Sequence, residues 1–138
     1  MKFLHTMLRV RDIDKSIEFF ALLKLEEVHR FEHVSGRFTL IFLRDQGKTF
    51  ELEMTCNWDQ KENYTIGDNF GHLAFSVDNI YDTCHIFKEY GAIVSVPPRD
   101  GVMAFIKSPD GISIELLQKG SALKFNEFWH NQPNIGTW

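Results

Sequence analysis

Hydrophobic and polar positions alternate over residues 2–10, with Phe3, His5, Met7 and Arg9 on one face and Leu4, Thr6, Leu8 and Val10 on the other. A period of two predicts a strand, and it places His5 and Arg9 on the same side. Asp12 then offers a carboxylate to the first turn of a helix, and Ile13, Ile17, Phe20 and Leu23/Leu24 follow at helical spacing. Three further strands are expected over 25–32, 37–44 and 49–56, with Gly36 and Gly47 punctuating the turns. The order is β-α-β-β-β.

The pattern then starts again. Phe3, His5, Val10, Ile13 and Phe20 are answered at a constant offset by Phe70, His72, Val77, Ile80 and Phe87. Asn79 followed by Asp82 repeats the capping signal, Cys84 joins Ile80 and Phe87 on the apolar stripe, and Gly91 sits where a helix C′ residue needs a positive φ. Strands over 92–96, 102–107 and 112–118 complete the second copy, the last two joined by Ser108-Pro109-Asp110-Gly111, which suits a type I turn. The fold class expected is therefore α+β: a first βαβββ module over 1–57, a polar linker over 58–69, a second βαβββ module over 70–118 and a tail over 119–138. The tail places Phe125, Phe128, Trp129, Ile135 and Trp138 among polar residues, with Pro133 and Gly136 opposing regular structure. Aromatics in such a setting lie against something, and three candidates stay open: the tail's own module, a partner subunit or a substrate.

Composition narrows the class. A chain of 138 residues that is 43% hydrophobic and 25% charged can bury a core of its own. A net charge of −4 without a Lys/Arg cluster gives no footprint for nucleic acid. No apolar run reaches membrane-spanning length, and His5, Arg9 and Arg11 interrupt any signal-peptide core. The thiols of Cys56 and Cys84 are isolated, so a reducing, cytoplasmic location is expected.

The duplication carries the chemistry. A single strand histidine or carboxylate is ordinarily structural. Two histidines at equivalent positions, each followed by a carboxylate on a later strand, would supply an N₂O₂ donor set to a divalent ion. By this reading His5, His72 and Glu115 are three of the four donors. The fourth donor is Glu51 or Glu53, which share a face of their strand, and periodicity does not choose between them.

Several motifs in order resemble the glyoxalase I family, in the short bacterial form, of the vicinal-oxygen-chelate superfamily. They are Leu4-His5-Thr6-Met7-Leu8-Arg9-Val10, Leu52-Glu53-Met54-Thr55 with Asn57-Trp58, Gly71-His72-Leu73-Ala74, and Ser108-Pro109-Asp110-Gly111 through Ile114-Glu115-Leu116. The resemblance implies the ligands His5, Glu53, His72 and Glu115, leaving Glu51 without a role. It implies a homodimer with swapped modules, each active site drawing His and Glu from both chains. The reaction implied is that of a lactoylglutathione lyase, a carbon–sulfur lyase: the hemithioacetal of methylglyoxal and glutathione becomes S-lactoylglutathione by proton transfer through an ene-diolate. Glu115 is the expected base, and Arg9 and Asn57 match positions that contact the thiol co-substrate. Histidine in the first ligand position resembles the class that prefers Ni²⁺ or Co²⁺, with Zn²⁺ also compatible with these donors. The chain departs from glutathione-using relatives at Pro97-Pro98-Arg99-Asp100-Gly101-Val102, which lacks their Lys/Gly-rich loop; Arg99 is a candidate substitute for the missing lysine. Rival readings are an Fe(II) ring-cleaving dioxygenase or thiol-transferring resistance protein using only His5, His72 and Glu115, and a metal-free module that sequesters a small molecule.

Overall fold

The computed structural model describes residues 1–137, so Trp138 of the tail lies outside the described residues. The chain divides into two units, Met1–Thr65 and Ile66–Trp138, with the break inside the polar segment between the two βαβββ patterns.

In the first unit, β1 (Thr6–Arg9), α1 (Ile13–Ala21), β2 (Leu25–His33), β3 (Phe38–Asp45) and β4 (Glu51–Asn57) build one four-stranded sheet in the order β1-β4-β3-β2. β1 runs parallel to β4, and the other pairings are antiparallel. The helix between β1 and β2 begins as expected, with the Asp12 carboxylate accepting from the Lys15 amide at 3.0 Å. The strand expected from residue 2 is shorter. Its ladder with β4 begins at Thr6, opposite Leu52, one residue inside the start of β4. His5 consequently lies just before the first paired residue. One face of the sheet is buried through Leu8, Ile41, Leu43, Leu52 and Met54 together with Phe19 and Phe20 of α1. The other face carries His5, Met7, Arg9, Glu51, Glu53, Thr55, Phe42 and Arg44. An irregularity between Glu27 and His29 inserts Val28 as an extra residue, so that His29, Phe31 and His33 come opposite Phe42, Leu40 and Phe38.

The polar segment is not a free tether. Trp58 Nε1 donates to Thr39 Oγ1 at 2.8 Å, Arg37 forms a two-pronged pair with Asp59, and Arg11 bonds Asn63, all within the first unit.

The second unit repeats the arrangement with β5 (His72–Val77), α2 (Ile80–Tyr90), β6 (Val94–Val96), β7 (Met103–Lys107) and β8 (Ser113–Gln118), in the order β5-β8-β7-β6 with β5 parallel to β8. Asn79 Oδ1 accepts from the amides of Tyr81 and Asp82, and Gly91 closes α2 at φ 93°. The core comprises Ile80, Cys84, Phe87, Ala104, Ile106, Ile114 and Leu116.

The tail packs on this second unit. A short helix α3 (Glu127–His130) forms upstream of Pro133 and Gly136, and its Trp129 is 1% exposed. His85 of α2 packs at a tilt against Phe128 and Trp129, and Lys88 lies over the Phe128 ring at 4.6 Å. Leu123 N donates to Gly101 O, Tyr81 Oη to Lys124 O, and Ile135 N to Ser95 O. Gly101, at φ 69°, is required here: a Cβ would meet Leu123 O at 2.7 Å. Of the three candidates for what the tail lies against, its own module is the one observed.

Candidate metal centre

Each unit brings one imidazole to one carboxylate. His5 Nε2 lies 2.8 Å from Glu53 Oε2, and His72 Nε2 lies 3.1 Å from Glu115 Oε2. The two pairs arise from one design. Met7 is opposite Glu53 in the β1–β4 ladder, and Ala74 is opposite Glu115 in the β5–β8 ladder. Each histidine stands two residues before that partner, so it shares the glutamate's face and reaches it diagonally. On the next strand, Phe42 faces Glu53 and Phe105 faces Glu115. The phenylalanine rings meet the imidazoles edge-on, at 5.8 Å and 82° for His5 and 5.2 Å and 85° for His72. The four side chains are partly buried, with exposures of 36% and 15% for His5 and Glu53 and 32% and 20% for His72 and Glu115. They are thus open to an ion from solvent while being held against an apolar wall.

The register that makes Glu53 the counterpart of Glu115 leaves Glu51 in a different row. Glu51 lies opposite Arg44, which donates Nε to its Oε1 at 2.7 Å and bonds the same oxygen through Nη2. Val28, His29, Phe31, Phe42, Arg44 and Glu51 line a cavity of about 380 Å³ on this face.

The donors fit a divalent ion in kind: imidazole nitrogen and carboxylate oxygen, two of each. They do not fit in number within one unit, which offers only two. Among the described residues, no three His, Cys, Asp or Glu side chains gather closely enough to hold a metal ion.

The other expected site residues fall on the same open face of the first unit. Arg9 is exposed, opposite Thr55. Asn57 ends β4, and its Nδ2 donates to Tyr64 Oη at 3.1 Å. Tyr64 was not singled out by the sequence, where its only signal is an aromatic ring in a polar segment. Arg99 does not stand free to replace a loop lysine. Its guanidinium donates to Gln132 O at 2.9 Å and Asn134 Oδ1 at 2.7 Å, so it fastens the tail to the 97–102 segment. Among the described residues, no helix is long and apolar enough to cross a membrane.

Comparison with known proteins gives a consistent result. The model of the Glyoxalase/Bleomycin resistance protein/Dioxygenase superfamily matches residues 2–116. A lactoylglutathione lyase of Neisseria meningitidis is 40% identical over 129 residues, covering 88% of this chain and 93% of the relative. A probable lactoylglutathione lyase of Synechocystis is 40% identical over 130 residues, covering 88% and 98%. Among solved structures, the trypanothione-dependent glyoxalase I of Leishmania major superposes with a TM-score of 0.79 at 30% identity, covering 86% of each chain. Glyoxalase I of Zea mays gives a TM-score of 0.75 at 27% identity, covering 86% of this chain and 44% of that one. With its paired βαβββ units and its duplicated His–Glu pairs, the chain belongs to the Glyoxalase/Bleomycin resistance protein/Dioxygenase superfamily.

Proposed function

We propose that the chain is a glyoxalase I, a metal-dependent lactoylglutathione lyase. It isomerises the hemithioacetal of methylglyoxal and glutathione to S-lactoylglutathione. The observation that carries this reading is the filling of both half-sites by the same His–Glu pair in the same register. A metal-free binding module has no need of four such donors, and a reading that drops Glu53 leaves its contact with His5 unexplained. The near-full-length relatives named lactoylglutathione lyase support the same choice.

His5, Glu53, His72 and Glu115 would hold the ion, with Ni²⁺ or Co²⁺ favoured and Zn²⁺ compatible. When bound, the ion supplies Lewis-acid stabilisation of negative charge building on two adjacent substrate oxygens. The rest of the chemistry belongs to the chain. Glu115 removes the proton from the sulfur-bearing carbon and returns it to the neighbouring carbon, while the hydroxyl proton of the first carbon passes to the oxygen of the second, so no net acid or base is consumed. Phe42 and Phe105 back the two imidazoles and keep that side of each half-site apolar, which strengthens charge interactions within it. Arg9 and Asn57, on the open face of the first unit, bind the carboxylate-bearing end of the thiol, and Tyr64 orients the Asn57 amide.

With two donors per unit, one site needs two units to complete it. In this reading the enzyme is a homodimer with swapped modules, the first unit of one protomer completing its site with the second unit of its partner. Subunit complementation tests this. One inactive chain carries His5→Ala and Glu53→Ala, and the other carries His72→Ala and Glu115→Ala. Mixed after co-refolding, they regain isomerase activity if sites are shared between chains, because one of the two sites in each mixed dimer is then intact. If the site lies within one chain, the mixture stays inactive.

A further inference from the structure

Glu51 and Glu53 stand two residues apart on β4 and face the same side. Thr6 pairs with Leu52 in the parallel ladder, so extending the register by one residue brings Glu51 alongside His5. By backbone position alone, either carboxylate is a neighbour of that imidazole. Only Glu53 makes the contact.

The next strand accounts for the difference. Opposite Glu53 stands Phe42, which offers no polar donor. Opposite Glu51 stands Arg44, whose Nε and Nη2 converge on Glu51 Oε1. Two charge-assisted N–H bonds to one oxygen hold the Glu51 carboxylate toward Arg44. The second unit provides an internal comparison. Lys107 occupies the place of Arg44, and Ser113 occupies the place of Glu51. There Lys107 Nζ donates to Ser113 Oγ at 2.7 Å, and Glu115 has no rival carboxylate at the row of His72.

We infer that Arg44 is a positioning residue that withholds Glu51 from the metal and so leaves Glu53 as the carboxylate donor of the first half-site. The inference rests on the proposed metal-binding reading. Charge supports it. With Glu51 neutralised by Arg44, Glu53 and Glu115 bring two negative charges to a divalent ion, a balanced set; a released Glu51 would add a third.

The test is binding of Co²⁺ to metal-stripped protein, followed by its visible absorption bands, which report the ligand set independently of activity. Glu51→Ala is expected to bind Co²⁺ with unchanged affinity and spectrum. Glu53→Ala is expected to weaken binding by about tenfold or more, the scale seen even for outer-shell losses. Adding Arg44→Met to Glu53→Ala is expected to restore most of that affinity, because the freed Glu51 reaches the ion, and adding Glu51→Ala is expected to abolish the rescue. Arg44→Gln serves as a second release variant of similar size, and circular dichroism confirms that each variant is folded. Normal binding by the unmodified chain with no rescue by either Arg44 variant would overturn the inference while leaving the metal reading in place. Failure of the unmodified chain to bind Co²⁺ would remove both.

Discussion

His72 Nε2 lies 3.1 Å from Glu115 Oε2, on two strands joined in parallel register. The two residues have different tasks, and substitution separates them. His72→Ala removes a nitrogen ligand with nothing to replace it. Metal affinity is expected to fall by more than the roughly 10–100-fold that follows loss of an outer-shell partner. Glu115→Gln keeps an oxygen that can coordinate but cannot accept the proton. It is expected to retain most of its metal and to lose about 10²–10⁴-fold in kcat, the range typical of a general base. Metal analysis of the dialysed variants beside initial rates distinguishes the two outcomes. Normal turnover by Glu115→Gln would remove Glu115 as the base.

The tail is a structural strap on the second unit. Trp129 is 1% exposed, against α2 and beside the 131–135 segment. Trp129→Ala is expected to cost on the order of 3–5 kcal/mol, the range for truncating a buried large aromatic. Urea unfolding reads this as a lower midpoint with little change in slope. An unchanged midpoint would mean that the tail does not support the fold.

Asp45 closes the β3–β4 turn. The Phe50 amide, and then the hydroxyl and amide of Thr49, donate to its carboxylate and hold its pKa below the usual value. A depressed folded-state pKa gives stability that is present above the ordinary carboxylate range and is lost as pH falls through the folded value. Asp45→Ala is therefore expected to be less stable than the unmodified chain near neutral pH, with the difference narrowing in acid. Thermal melts across pH 3–7 (about the titration range of a carboxylate) measure it. A difference independent of pH would show that the charge of Asp45 has no part in the turn.

Burial alone pushes the Cys84 thiol up to about 12. Since the thiolate is the nucleophile, Cys84 is expected to resist iodoacetamide at pH 8 until the protein unfolds. Mass spectrometry of peptides labelled with and without denaturant checks this, and native labelling of Cys84 would contradict the packing of α2.

Much of this was legible in the sequence. The offset that takes His5 to His72 and Ile13 to Ile80 fixes the duplication, because strand and helix periods depend only on local order. The caps at Asp12 and Asn79 and the turn at Gly91 are local too, and all three take the geometry expected of them. What depends on a neighbouring strand was not legible. Periodicity could not choose between Glu51 and Glu53, since the choice lies in the register across the β3–β4 turn, which sets Arg44 opposite Glu51 and Phe42 opposite Glu53. The length of β1 was overestimated because alternation runs on to residue 2, whereas the ladder with β4 begins only at Thr6. The role of Arg99 could not be read because its partners, Gln132 and Asn134, are more than thirty residues distant.

The central claim is metal-dependent isomerisation, and its most direct measurement is thioester formation from methylglyoxal and glutathione. The protein is stripped of metal and reloaded separately with Ni²⁺, Co²⁺, Zn²⁺ and Fe²⁺. The expected result is an inactive stripped protein that recovers activity with Ni²⁺ or Co²⁺. Full activity without any metal, or inactivity with every ion although each is bound, would contradict it.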